Sequence, residues 1–305
     1  MKTLTNKVTS NLSCQKQPGP VAVKNLMLVD ADPEVLSLVC SMFEKGDWAV
    51  HEASNNQEAL EWARERSFQV VITSDKTPAV ADVALLGRIR AVRPHTRLII
   101  LTGEGTPADV IAAMRNHAFC YFSRPFALDE LANMIGRAME EPCWDDGIEV
   151  ISATPEWIHV AARCDLATAD RIMQFLNEIA ELPDPERGQV AAGFRELLLN
   201  AIEHGAGLDP TKNVDVEYVR ARRMVLCRIS DPGPGFTLDE IPHAAVANPE
   251  DDPLRHIAIR EEHGMRPGGY GVAIAQQFLD QVVYGQQGNE VVLIKYLDPG
   301  AGVGS

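Results

Sequence analysis

Between residues 25 and 140, short apolar runs alternate five times with amphipathic segments, and this rhythm leaves few folds open. Strand-like runs fall at 26–29, 49–53, 69–73, 97–101 and 119–122. Helical periodicity fills the gaps, at about 33–45, 56–66, 82–92, 107–117 and 127–140, with Asp32-Pro33 and Thr106-Pro107 as helix-start signals. Five consecutive βα units predict a doubly wound parallel sheet of the α/β class, with functional groups gathered at the carboxyl ends of its strands. Asp30, Asp32, Ser74, Asp75, Thr102 and Arg124 all fall at such ends.

The rhythm changes after residue 148. Strand-like segments at 148–153, 157–163, 213–220, 223–230 and 290–297 lie in neighbouring pairs, with Ala221-Arg222 reading as a tight hairpin turn. Helical patterns occupy about 166–180, 186–204 and 271–283. Paired strands with helices predict an α+β two-layer domain. The polar stretch between Phe236 and Arg266, with its acidic knot Glu250-Asp251-Asp252, is long for a connection inside a compact domain and reads as a functional lid. The chain therefore divides into a flexible leader (1–24), a first domain (25–140), a linker (141–147), a second domain (148–298) and a tail (299–305).

A chain of 305 residues with 46% hydrophobic content has enough apolar material for two cores. Its 28 basic residues against 43 acidic ones give a formal charge of −15. Such a surface repels phosphate backbones and anionic lipid, which argues against nucleic acid and membranes as direct partners. No apolar run approaches the length of a membrane span, and the leader has no apolar signal core. The six cysteines are scattered, with neither a metal-binding spacing nor a disulfide framework, so a reducing cytoplasm is the expected setting.

Three clusters in the second domain carry chemistry. In the helical segment 195–205, Glu196 and Asn200 stand four residues apart and so project from one face, a pairing that suits Mg²⁺ and substrate phosphates. Gly205 closes that segment as a helix-stop signal. Asp231-Pro232-Gly233-Pro234-Gly235-Phe236 follows a strand; its glycines allow close backbone approach, and Asp231 can accept a hydrogen bond from an exocyclic amine. Gly268-Gly269-Tyr270-Gly271 opens a helix whose free N–H groups can bind phosphate oxygens. Each cluster alone is common, since a DxGxG run is often no more than a turn; the three in this order are specific.

On these residues, 148–305 resembles a GHKL-type ATPase domain, and most of all the anti-sigma-factor serine kinases of bacterial partner switching. Asn200-Ala201-Ile202-Glu203-His204-Gly205, Asp231-Pro232-Gly233-Pro234-Gly235-Phe236 and Gly268-Gly269-Tyr270-Gly271-Val272 match that family's boxes. The resemblance implies ATP and Mg²⁺ as cofactors, with Glu196 as general base, Asn200 as Mg²⁺ ligand and Asp231 as adenine contact. Gly233, Gly235, Gly268, Gly269 and Gly271 would form the phosphate and lid loops. It also implies a STAS-domain anti-sigma-factor antagonist as substrate, a sigma factor as second partner, and a homodimer. His204, at the helix end, reads as a cap rather than a base. A histidine kinase would need a helical hairpin carrying a phosphoacceptor His ahead of the ATP domain, and residues 141–148 are too few for one.

Residues 25–140 resemble a two-component receiver whose chemistry has been removed. Thr102 and Arg124-Pro125-Phe126 are in register, but Ala31 replaces one carboxylate of the acidic pair, Ser74 stands at the phosphoacceptor position and Arg124 at the lysine position. Asp75, next to Ser74, is the alternative acceptor; strand alternation turns its side chain away from the site. Three functions follow: a serine kinase governed by a degenerate receiver, a nucleotide-gated binding module without transfer, or a response regulator phosphorylated at Asp75.

Overall fold

A computed structural model describes residues 24–43, 48–140, 146–235, 255–262 and 270–297. The leader up to Val23, 141–145 of the linker, most of the expected lid, Phe236, Gly268, Gly269 and the tail lie outside the described residues.

The first domain is the expected parallel sheet. Strands β1 (Lys24–Val29), β2 (Trp48–Ala53), β3 (Val70–Ile72), β4 (Arg97–Thr102) and β5 (Cys120–Ser123) pair in the order β2-β1-β3-β4-β5. Helices α1 (Pro33–Phe43), α2 (Asn56–Glu65), α3 (Ala79–Val92), α4 (Pro107–Arg115) and α5 (Leu128–Glu140) connect them. The central strands are buried on both faces, as near-continuous Val, Ile and Leu runs require. Thr106 caps α4 in a capping box with Asp109, where Thr106-Pro107 marks a start. β3 is shorter than its sequence run and ends at Ile72.

The second domain is a six-stranded antiparallel sheet in the order β10-β11-β9-β8-β7-β6. Its strands are β6 (Ile148–Thr154), β7 (Trp157–Arg163), β8 (Asn213–Ala221), β9 (Met224–Ser230), β10 (Gln281–Tyr284) and β11 (Glu290–Tyr296). Ile158, Val160, Val214, Val216, Val225 and Leu293 turn inward on alternate positions. Helices α6 (Leu166–Ala180), α7 (Glu186–Asn200) and α9 (Gly271–Phe278) cover this sheet, and α8 (Arg255–Glu262) lies within the stretch read as a lid.

Three expectations need correction. The hairpin turn is Arg222-Arg223 rather than Ala221-Arg222, because Ala221 pairs with Met224. The helix expected over 271–283 stops at Phe278, and Gln281–Tyr284 pairs with β11 instead. The helix expected over 186–204 ends at Asn200 and continues as a wider π-helical turn over Ala201–Gly205, with Ala206 N–H donating to Ala201 O at 2.8 Å.

The two domains are not separated by a loose joint. One hydrophobic core runs through both, with Leu86, Val110 and Met114 of the first domain in the same cluster as Ile158, Phe175 and Ile179 of the second. Across the seam, the buried guanidinium of Arg171 in α6 donates to Phe119 O at 2.6 Å and Ala118 O at 3.2 Å, and pairs with Asp146. Arg137 of α5 pairs with Asp170 at 3.0 Å, and Arg115 of α4 donates to Ala153 O at 3.0 Å. Removing one partner of a buried ion pair strands the other, so Arg171→Ala is expected to cost about 3–5 kcal/mol. Calorimetry should show the wild type unfolding in one transition and the variant in two; a wild type with two separate transitions would contradict the shared core.

Candidate functional site

α7 carries Glu196 and Asn200 on one face in its last turns. That face meets the start of α9: a Cβ placed on Gly271 would lie 2.8 Å from Glu196 Oε2 and 3.5 Å from Asn200 Nδ2. A side chain there would have to push the Glu196 carboxylate aside, and the backbone of Gly271 approaches both functional groups because it has none. Farther back along the pair of helices, Gly193 of α7 admits the side chain of Leu279, which brings α7 and α9 into direct contact. Glu196 also lies 3.6 Å from the guanidinium of Arg195.

The second cluster meets the first through another missing side chain. A Cβ at Gly205 would overlap the carboxylate of Asp231, and one at Gly233 would overlap the carbonyl of Gly205. Gly205 was expected as a left-handed helix stop, but that backbone conformation belongs to Gly207 (φ +72°). Gly205 serves close approach instead, and the π-helical turn is what carries its backbone to Asp231.

Asp231 stands at the end of β9, its N–H donating to Asn289 O at 2.9 Å. Oδ1 accepts from Gly233 N–H at 2.8 Å, and Oδ2 has no hydrogen-bond partner among the described residues. Burial raises the carboxyl above its ordinary range, against the lowering effect of that N–H. A half-buried carboxylate with one oxygen unpaired among the described residues fits an exocyclic amine. Cys164 nearby is buried, its thiol pushed up to about 11, so it is an unreactive wall. Gly235, at φ +80°, presses against Gln287 O with no room for a Cβ. His204 is exposed, in keeping with its reading as a helix-end residue.

The structure thus brings Glu196, Asn200 and Gly271 together, and Gly205, Asp231, Gly233 and Gly235 together, on adjoining ends of α7, β9 and α9. The fit to a nucleotide is direct: close approaches at Gly205, Gly233 and Gly235 where a Cβ would meet backbone or the Asp231 carboxylate, a carboxylate oxygen without a partner among the described residues, and an amide beside a carboxylate for the phosphate end. Asn200 with Glu196 beside it is the set that would hold Mg²⁺. No group of three or more metal-ligating side chains occurs among the described residues, and Mg²⁺ characteristically takes few protein ligands alongside substrate phosphates.

The first domain holds a different arrangement. Asp30, in the left-handed region at φ +44°, pairs with Lys76 at 3.0 Å. Arg124 donates to Asp75 at 2.7 Å, lies 3.8 Å from Asp32 and stacks on Phe126 at 4.5 Å from the ring centre. Asp32 Oδ1 also caps α1 by accepting from Glu34 N–H at 2.8 Å. Ser74 is buried and accepts from Lys76 N–H at 3.0 Å, and the Thr102 hydroxyl donates to Glu104 O at 2.8 Å.

Asp75 departs from the expectation that alternation would turn it away. β3 ends at Ile72, so residues 73–75 are not extended strand, and Asp75 faces Arg124. The sequence reading missed Lys76; its signal was a lone cation two residues after Ser74. Three carboxylates are met by two side-chain cations, and a divalent ion would have to displace them.

Residues 161–295 match the histidine kinase-like ATPase domain and residues 26–136 the response regulator receiver domain. The chain is therefore a receiver domain joined to a histidine-kinase-like ATPase domain, and such a domain implies ATP binding. It is similar to the regulatory protein AtoC of Escherichia coli, 22% identical over 193 residues, covering 61% of this chain and 41% of that protein. It is also 25% identical to the DNA-binding transcriptional regulator NtrC of a Bradyrhizobium species, over 39% of this chain and 25% of that protein. The chain thus spans well under half the length of these relatives. Among solved structures, a response regulator from Thermotoga maritima aligns with 24% identity over 39% of this chain and 99% of its own, at a TM-score of 0.35. A receiver domain protein from Clostridium thermocellum aligns with 30% identity over 38% of this chain and 94% of its own, at 0.33.

Gly235→Ala forces a side chain into the Gln287 carbonyl at a positive φ, and is expected to destabilise the second domain by roughly 1–3 kcal/mol and to abolish nucleotide binding, read by thermal melts with and without ATP. In the first domain, acetyl phosphate with Mg²⁺ is expected to add no phosphate to the wild-type chain. An intact-mass gain that disappears in Asp75→Asn would instead establish a working acceptor.

Proposed function

We propose that this chain is an ATP-dependent protein serine kinase that acts as a partner-switching regulator, with a STAS-domain anti-sigma-factor antagonist as its substrate. A sigma factor is the second partner, bound while that antagonist is phosphorylated, and the receiver domain governs the kinase without being phosphorylated itself. The observation that carries this reading is the approach of Gly271 to both Glu196 Oε2 and Asn200. It leaves a carboxylate and an amide side by side where the helix N-terminus of α9 would receive phosphate oxygens.

In this reading Asp231 selects the base, and the glycines of the second cluster let the nucleotide lie against backbone. Glu196 takes the proton from the substrate serine hydroxyl. The serine oxygen then bonds the terminal phosphorus, the bond to the bridging oxygen breaks, and ADP leaves. Mg²⁺ at Asn200 supplies neutralisation of phosphate charge. The guanidinium of Arg195 lies 3.6 Å from Glu196, at the same end of α7. A purely nucleotide-gated binding module would have no use for a carboxylate beside the phosphate end.

Glu196→Gln separates the two readings. It is expected to lower phosphotransfer by at least about 100-fold, as loss of a general base does, while ATP affinity changes little. The substrate is found by affinity capture with Mg·ATP and with Mg·ADP, followed by intact-mass analysis. A small captured protein gaining one phosphate on serine, with ATP alone, is the expected result. A nucleotide-dependent partner that stays unmodified would replace the kinase with a binding module.

A further inference from the structure

β5 ends the parallel sheet, and one side of its backbone has no neighbouring strand. Helix α6 of the ATPase domain supplies the missing partners one by one. Arg171 donates to Ala118 O and Phe119 O, and Gln174 Nε2 donates to Tyr121 O at 2.9 Å. Glu178 Oε2 accepts from Ser123 N–H at 3.1 Å and from the Ser123 hydroxyl. Residues 119, 121 and 123 alternate along one strand edge; 171, 174 and 178 recur along one helix face. Donors stand opposite carbonyls, and the acceptor stands opposite the amide.

A flanking face of α6, about 100° round the helix, packs on α7. Ile172, Phe175 and Ile179 share a core with Val190, Phe194 and Leu197. Glu178 is part-buried at the seam, where desolvation raises its carboxyl against the lowering effect of the Ser123 and Gln174 hydrogen bonds and of Arg187 in the first turn of α7. Gln174 donates to its other oxygen at 3.0 Å. Moving outward from the receiver, the order is β5, α6, α7 and α9, each in direct contact with the next, and the last two carry Glu196, Asn200 and Gly271.

We propose that Glu178 is a positioning residue for the ATP site: anchored on Ser123, it seats α6 and thereby α7, so that the receiver domain sets the spacing between Glu196, Asn200 and Gly271 through one strand edge. Ser123 directly precedes Arg124, so a shift in the receiver's own polar site reaches this anchor through a single peptide bond. The inference rests on the reading of α7 and α9 as the ATP site, and its test has one readout that does not depend on nucleotide.

The experiment uses the full chain with Ser123→Ala, Glu178→Gln and the double variant. Amide hydrogen exchange is measured on nucleotide-free protein, and affinity with a fluorescent ATP analogue plus Mg²⁺. Either single variant is expected to speed exchange over residues 194–200, although neither side chain touches that segment. Either is also expected to weaken analogue binding by about fivefold or more, the lower range of couplings between sites. The double variant should lose no more than the worse single one, because the two residues form one contact. Faster exchange confined to β5 and α6, with α7 exchange and affinity unchanged, would overturn the proposal. If the wild type binds no analogue, the ATP reading falls, and exchange in α7 still decides whether Glu178 positions that helix. Should Glu178→Gln fold poorly, Ser123→Ala decides alone.

Discussion

A parallel sheet must do something with its last strand. The outer backbone groups of β5 need partners, and in this chain they are found on a helix of the other domain. Much of the architecture follows from that requirement. Arg171 can be nearly fully buried because three carbonyls (Ala118, Phe119 and Asp146), a carboxylate and the Phe119 ring (4.9 Å to its centre) surround its guanidinium. With α6 held against the edge, its apolar side is fixed over the second sheet. The apolar faces of α4 and β6 then close into one core with it.

Within the ATPase domain the governing constraint is absence of side chains. Gly205, Gly233 and Gly271 each stand where a Cβ would meet a functional group or the backbone of a neighbouring segment. The carboxylate and the amide of α7, and the carboxylate after β9, are ordinary residues made useful by what is missing next to them. The receiver shows the opposite strategy. Its strand ends are filled by side chains that satisfy one another, with Lys76 on Asp30 and Arg124 between Asp75 and Asp32.

The sheet of the first domain was legible because five buried runs separated by helical periodicity admit hardly any other arrangement. The order of the three clusters likewise pointed to Glu196, Asn200, Asp231 and Gly271, which the structure gathers in two adjoining groups, Glu196 and Asn200 at Gly271 and Asp231 at Gly205 and Gly233. Where the reading failed, the reasons are local. Gln281–Tyr284 is a four-residue apolar run following a helix, and periodicity over so few residues does not distinguish helix from strand; pairing with β11 decides it. Asp75 escaped the alternation rule because β3 stops three residues earlier. Gly205 looked like a stop signal, and its true role depends on Asp231, twenty-six positions away. The seam residues Arg171, Gln174 and Glu178 could not be found in sequence at all, since polar residues on an amphipathic helix look the same whether they face water or another domain's backbone.

Receiver domains are commonly pictured as beads on a string, interchangeable among outputs. The shared core argues otherwise for this chain. Val110 and Met114 of one half share a core with Phe175 and Ile179 of the other, α4 packs on α6 and β6, and Asp146, the first described residue of the linker, is held by Arg171. A recombination breakpoint between the halves would leave each with an uncovered apolar face and an unanswered strand edge or helix. Such a pair can be inherited together far more readily than it can be exchanged, and its two halves must therefore diverge in step along the seam.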